Sequence, residues 1–190
     1  MKHRSKLIMH SFKSLILIIG VIVIFAILFP STFKSQTRSY ADEKLNYVLV
    51  LPSAHWHTIN VPGIVNDKTE FRYKNGDVHL GVRRELVPAD VTVAELIQWQ
   101  QKLDRSSLLG YVKEKVEPVA GLLSGAKYAY EYVTNGKPTA KVIYYLEASN
   151  RIIYRLEFAG SPELLRSLSE QTDFIARSFR VKHPPAVSRV

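Results

Sequence analysis

A long apolar run near the N-terminus limits what this chain can fold into. Residues 15–29 read LILIIGVIVIFAILF, and thirteen of these fifteen residues are Leu, Ile, Val or Phe. Inserting them into a bilayer is favourable by about 4 to 8 kcal/mol. A helix over 12–33 is about 33 Å long, enough for a hydrocarbon core of about 30 Å. The sequence therefore predicts a transmembrane signal-anchor helix over 14–33.

The flanking charges predict the orientation of this helix. Residues 1–13 contain four basic residues, at positions 2, 4, 6 and 13, and no acidic residue. The positive-inside rule places such a basic segment in the cytoplasm, so the rest of the chain lies on the extracytoplasmic, periplasmic side of the inner membrane. A cleaved signal peptide is the alternative, because Ser39 and Ala41 fit a cleavage site, although they follow the apolar run by twelve residues.

The net charge of +9 is unevenly distributed. Residues 1–41 hold six of the 26 Lys and Arg residues and none of the 17 Asp and Glu residues. The remaining chain has 20 basic against 17 acidic residues, which is an ordinary solvated balance and argues against nucleic acid as a partner. The chain has no cysteine, which excludes disulfides, thiol chemistry and lipid attachment through cysteine.

Beyond a polar linker over 34–44, periodicity predicts one domain over 45–182 and a disordered tail over 183–190. Apolar and β-branched runs predict strands at 45–51, 56–61, 69–74, 77–86, 116–123, 127–133, 141–148 and 151–158. Asn-Gly pairs at 75–76 and 135–136 predict tight hairpins. A capping box of Thr92 and Glu95 opens a helix over 92–103, and Ser161 with Pro162 opens a last helix. These elements predict an α+β fold: an antiparallel sheet of six to seven strands sandwiched between helices.

The end of the domain resembles a known superfamily. Residues 150–158 (NRIIYRLEF) lead into a helix that ends in ARSFR at 176–180. This ending is similar to that of the PsbP-like superfamily, which contains photosystem II PsbP subunits, related bacterial proteins and the Ran-binding Mog fold. Residues 45–56 and 121–129 agree with its pattern. The resemblance implies an antiparallel sheet between helices and favours the bacterial branch outside photosynthesis.

Two histidines suggest a metal site. His55 and His57 bracket Trp56, and alternate strand residues point to the same face. His79 and Asp77 could add ligands from another strand, because zinc needs three or four. The sequence therefore offers His55, His57 and His79 as candidate metal ligands. The alternative is that they are exposed strand residues without a ligand.

A second candidate is an aromatic surface formed by Tyr128, Tyr130 and Tyr132, which share one strand face. The alternative is cross-strand packing beneath a helix. The sequence has no nucleophile elbow, phosphate loop, dinucleotide fingerprint or zinc-protease motif. We therefore expect that the protein is not an enzyme and binds no cofactor. The leading hypothesis is a membrane-tethered extracytoplasmic module that binds an envelope protein complex. A small-ligand or metal carrier is the alternative.

Overall fold

In a computed structural model, the described residues are 36–59, 68–149 and 151–182, without the side chain of Lys113. The predicted basic segment 1–13, the membrane helix 14–33 and the tail 183–190 lie outside this part of the chain and stay predictions. The helices formed by the described residues include none that is long and apolar enough to span a membrane.

The larger of two sheets has seven antiparallel strands. Its strands are β3 (Trp56–Ile59), β4 (Lys68–Tyr73), β5 (Val78–Leu86), β6 (Val112–Val119), β7 (Gly125–Thr134), β8 (Lys137–Ser149) and β9 (Ile152–Gly160). They are ordered β3-β4-β5-β9-β8-β7-β6. Neighbouring strands in this sheet are consecutive in the chain, except that β5 pairs with β9 and so joins the first three strands to the last four. The predicted antiparallel sheet is confirmed.

The smaller sheet contains a strand within the segment over 34–44 that the sequence predicted to be a linker. Its strands are β1 (Arg38–Asp42), β2 (Tyr47–Leu51) and β10 (Arg180–Val181), ordered β1-β2-β10. β1 pairs with β2 along its whole length. The sequence of β1 is short and polar, as is usual for edge strands, and its one aromatic ring, Tyr40, packs edge-on against Phe71 at 4.9 Å. A charged edge strand of this kind has the composition of a linker.

Three helices complete the fold: α1 (Val93–Ser107), α2 (Pro162–Ser167) and α3 (Ser169–Ser178). The Thr92 capping box is present, with both reciprocal hydrogen bonds. The predicted last helix is divided into α2 and α3 at Leu168, where ψ is 7°. Near the end of α1, the apolar side chain of Leu103 is exposed, and the carboxylate of Asp104 is buried.

Apolar side chains form cores on both faces of the large sheet. The main core joins one face to β2, α2 and α3 and contains Trp56, Phe71, Phe158 and Phe179. The second core lies between the other face and α1. We call this second face the outer face. Helices therefore cover both faces of the sheet, as the α+β prediction requires.

The two Asn-Gly hairpins differ from each other. At Asn135 and Gly136 both φ angles are positive and Thr134 pairs with Lys137, so this is the predicted two-residue turn. At the first hairpin Tyr73 pairs with Val78, which makes a four-residue loop in which Lys74 and Gly76 have positive φ.

Candidate functional site

The three predicted metal ligands do not converge. His57 lies opposite Arg72, and Arg72 lies opposite His79, so an arginine separates the two imidazoles on the outer face. Because these histidines lie two strands apart, their backbones are separated by roughly 10 Å. His55 precedes β3, and its ring packs on Tyr73 of the main core at 5.6 Å. The described residues contain no group of three His, Cys, Asp or Glu side chains that could hold a metal ion.

The predicted tyrosine face exists, and α1 covers it. Tyr128 and Tyr130 are buried and Tyr132 is half-buried, with neighbouring ring centroids 4.9 and 5.8 Å apart. These rings belong to the second core together with Val93 and Ile97 of α1. The tyrosines therefore pack beneath a helix, as the alternative interpretation predicted, and they do not form an open aromatic platform.

A buried hydrogen-bond network joins α1 to this face. The Tyr128 hydroxyl donates to Asp104 at 3.1 Å and lies 2.6 Å from the Tyr111 hydroxyl. Tyr111 also donates to Glu114, which pairs with Arg105 at 2.7 Å. Burial raises the pKa of Tyr128 far above its usual value. Burial also opposes the charge of Glu114, but hydrogen bonds from Tyr111 and Arg105 outweigh it and lower the pKa of this carboxyl.

We expect Tyr128→Phe to destabilise the domain by about 1–3 kcal/mol, because it removes a donor from the buried Asp104 carboxylate. Urea unfolding followed by circular dichroism would measure the loss. Tyr132→Phe is the matched control on the same strand face, since Tyr132 makes none of these hydrogen bonds, and it should change stability by less than about 0.5 kcal/mol. Equal losses in the two variants would contradict a role for the network.

Among the described residues, no helix covers the outer face over β3, β4, β5 and β9, which α1 does not reach. We call this part, together with Lys141 on the neighbouring strand β8, the open face. Its charged side chains are five basic residues and three acidic residues: Lys68, Arg72, Arg83, Lys141 and Arg155, with Glu70, Glu85 and Glu157. Two histidines, His57 and His79, lie on it as well. The open face is therefore positive and broad.

Three of its basic residues form one row across neighbouring strands. Lys68 lies directly opposite Arg83, and Arg83 lies directly opposite Arg155. Like charges in such positions repel each other. Beside this row, Gly81 has no neighbour within 4 Å of where a side chain would begin, and the surface dips there into a cavity of about 110 Å³. Glu70 pairs with Lys68 and Glu157 pairs with Arg155, which offsets the charge at both ends of the row. Arg83, between them, forms no ion pair with the described residues.

Arg155 is the best-anchored member of the row. Its guanidinium pairs with Glu157 at 2.9 Å and approaches Glu85 at 3.8 Å. Its Nε atom is buried and has no hydrogen-bond partner in the part of the chain that the structure describes. Glu157 also pairs with Lys141 at 2.7 Å. Burial by itself would raise the pKa of Glu157, but Lys141 and Arg155 together outweigh burial and lower it.

This lowered pKa predicts acid sensitivity. A carboxyl with a lower pKa in the folded state adds stability above its unfolded pKa and loses that contribution as the pH falls through the folded value. For Glu157 the loss begins near the ordinary value of 4.5. We therefore expect Glu157→Gln to reduce the difference in unfolding free energy between pH 7 and pH 3, measured with urea. Glu163→Gln, at an exposed helix position, is the control and should leave that difference unchanged.

A polar cluster beside the main core brings titratable groups together. The Tyr144 hydroxyl donates to Asp173 at 2.6 Å, and Lys127 pairs with the same carboxylate at 2.9 Å. Burial raises the pKa of Tyr144 far above its usual value. Burial opposes the charge of Asp173, but the hydrogen bonds from Tyr144 and Lys127 outweigh it, so its pKa is lowered. The cluster therefore keeps Tyr144 protonated and Asp173 ionised.

Among the described residues, the direction of each resolved pKa shift depends on the residue type. Tyrosine and arginine pKa values are raised, and glutamate and aspartate values are lowered. These groups include Tyr130, Tyr145, Glu95 and Arg105. A general acid or base works best with a pKa near the working pH. These shifts move groups away from neutrality, which is typical of structural networks.

Fold and surface together define the class of protein. The chain forms an α+β domain with helices on both faces of an antiparallel sheet and with an open charged area on one face. No family model and no curated protein matches the sequence.

Solved structures share this fold. Cyanobacterial PsbP (CyanoP) from Synechocystis sp. PCC 6803 matches with a TM-score of 0.54 and 16% identity, over 78% of this chain and 94% of that chain. The Ran-binding protein Mog1p of Saccharomyces cerevisiae matches with a TM-score of 0.58 and 9% identity, over 78% and 96%. The resemblance to the PsbP-like superfamily inferred from the C-terminal residues is thus confirmed at the level of the fold.

Proposed function

We propose that this protein is a non-enzymatic module, held at the outer side of the inner membrane by the helix over 14–33, that binds an acidic surface of an envelope protein through its open face. The row of Lys68, Arg83 and Arg155 is the observation that carries the proposal. Lys68 and Arg155 at the ends of the row pair with Glu70 and Glu157. Arg83 lies between these two basic residues, which repel it, and it forms no ion pair with the described residues. A partner carboxylate placed over Arg83 would offset this repulsion and gain charge complementarity.

The second support is the direction of the pKa shifts. The polar cluster at Asp173 and the network at Asp104 each bring titratable groups together. Burial raises the pKa of Tyr128 far above its usual value, and hydrogen bonds from Tyr144 and Lys127 lower the pKa of Asp173 against the effect of burial, so both pKa values move away from neutral pH. Such groups are suited to maintaining structure, so binding accounts for the domain better than acid–base catalysis.

The membrane location is tested by a fusion. Alkaline phosphatase attached after Val190 should be active, because the C-terminal end lies in the periplasm in the proposed topology. A fusion that is active only with a cytoplasmic reporter would contradict the location. A size shift after signal processing would instead support cleavage near Ala41.

The binding surface is tested in intact membranes. A photo-crosslinking amino acid at position 79, on the open face, should join the full-length protein to one discrete partner. Arg83→Glu should reduce that product about tenfold, since it reverses the central charge of the row. Arg84→Glu is the matched control, because Arg84 is the adjacent exposed residue on the opposite face of β5.

The outcome that contradicts this surface is equally specific. Equal crosslinking in the Arg83 and Arg84 variants would show that the open face does not select the partner. A discrete product obtained only from a crosslinker at position 102, where Lys102 is exposed on α1, would place the interface on that helix.

Metal binding by the predicted ligands His55, His57 and His79 stays a prediction. Isothermal titration of the full-length protein with zinc tests it directly. Micromolar binding that is lost in His57→Ala would support it, and the absence of binding at micromolar zinc would remove it.

A further inference from the structure

A cleft of about 480 Å³ lies between the N-terminal half of α1 and the sheet, beside the edge strand β6. Val93 and Ile97 of α1 form one wall, and Val116 of β6 forms part of the other. Gly125 and Ala126 line the sheet side. Pockets of roughly 300–1,000 Å³ with apolar walls and few polar groups are typical of small-molecule sites.

The sequence of β7 explains the position of the cleft. Along the outer face of this strand, the residues are Ala126, Tyr128, Tyr130 and Tyr132. The tyrosine rings fill the space between strand and helix, and the Ala126 methyl group does not. Next to it, a Cβ atom on Gly125 would lie 1.9 Å from the Tyr145 carbonyl oxygen, so the strand backbones approach too closely for a larger residue. The cleft is thus a consequence of the β7 sequence.

One charged group lies at the edge of the cleft. The exposed carboxylate of Glu147 lines it and accepts a hydrogen bond of 3.3 Å from Ser124. Within the described residues, no Lys or Arg forms an ion pair with Glu147. Gln98 and Gln101 add amide groups to the helix wall. Of the described residues that line the cleft, Glu147 is the charged one, so an apolar interior is combined with a negative charge at the edge.

We propose that this cleft binds a small organic amine, with an apolar body between α1 and β6 and its ammonium group paired with Glu147. The amide groups of Gln98 and Gln101 contribute polar contacts at the helix wall. This site goes beyond the proposed partner binding. It lies on the half of the outer face covered by α1, and it shares no residue with the open face, so either site can fail while the other stands.

The probe that tests the site is 2-phenylethylammonium, with uncharged 2-phenylethanol as its matched analogue. The full-length protein in detergent micelles carries isotope-labelled Ala, Ile and Val methyl groups for NMR. We expect saturable shifts at Ala126, Ile97 and Val116, and about tenfold weaker binding of the alcohol. Glu147→Gln should remove that difference.

Blocking variants test the location. Val116→Phe should fill the cleft from the β6 side and reduce amine binding at least tenfold. Val112→Phe is the matched control, because Val112 is an equally exposed valine of the same strand outside the cleft. Ala126→Leu fills the cleft from the sheet side and gives a second, independent block.

Four outcomes overturn the proposal. The first three are no saturable shift with the amine, equal affinity for amine and alcohol in the unaltered protein, and equal loss in the Val112 and Val116 variants. Retained binding in both Val116→Phe and Ala126→Leu would also place the amine elsewhere. Unchanged methyl spectra away from the cleft show that each variant is folded, so a loss of binding is not a loss of structure.

Discussion

Gly125→Ala is expected to destabilise the domain by about 3 kcal/mol or more. The added methyl carbon would lie 1.9 Å from the Tyr145 carbonyl oxygen and 3.1 Å from the Leu146 Cα atom. These are backbone atoms of the paired strand β8, so no side chain can rotate away to make room. The pairing at the start of β7 would have to open. Urea unfolding followed by circular dichroism measures the effect.

Gly81→Ala is the matched control for this prediction. Gly81 also lies in the interior of the large sheet, but its added methyl group would meet nothing within 4 Å. Replacing a glycine at a compatible strand position stabilises a protein by about 0.4–1 kcal/mol, because the unfolded chain loses freedom. The two substitutions should therefore have opposite signs. A Gly125→Ala variant as stable as the unaltered domain would contradict the close approach of β7 and β8.

Trp56→Ala is expected to cost about 3–5 kcal/mol, the range for a large aromatic side chain removed from a core. The indole is completely buried, its ring lies 5.2 Å from the Tyr73 ring and 6.0 Å from the Phe158 ring, and its N–H donates to Gln171 at 3.2 Å. The substitution leaves a cavity and an unpaired amide oxygen. Thermal unfolding monitored by circular dichroism should show a clearly lower midpoint.

His57→Ala is the control on the same strand. His57 is the next residue, exposed on the outer face, so its replacement should change stability by less than about 0.5 kcal/mol. Similar losses for both variants would contradict the assignment of alternate faces in β3. A small loss for Trp56→Ala would contradict the contribution of the indole to the main core.

Local signals in the sequence predicted most of the elements correctly. The Asn135-Gly136 turn and the Thr92 capping box depend on residues that are neighbours in the chain, so the sequence contains all the information they need. The first Asn-Gly pair failed as a two-residue turn because the pairing of Tyr73 with Val78 selects a longer loop. β1 was missed because a short polar edge strand has no periodicity that distinguishes it from a linker.

The candidate sites were harder to predict, because their surroundings are formed by residues that are distant in the chain. The sequence placed Tyr128, Tyr130 and Tyr132 on one face correctly, because strand alternation is local. It could not show that α1 covers them, nor that Asp104, and not Leu103, turns inward. The metal hypothesis relied on His55 and His57 sharing a face, but the chain enters β3 only at Trp56, and His55 packs on Tyr73 instead.

Local patterns in the sequence were enough to predict the helices and strands, their α+β class and an apolar segment over 14–33, because periodicity, turn residues and hydropathy are properties of short stretches. Which strands are neighbours was evident only from the folded domain. The row of Lys68, Arg83 and Arg155 comes from three strands, and the cleft at Ala126 exists between elements up to several tens of residues apart. Cross-strand register and helix placement result from burying the whole core at once, and no single segment contains that information.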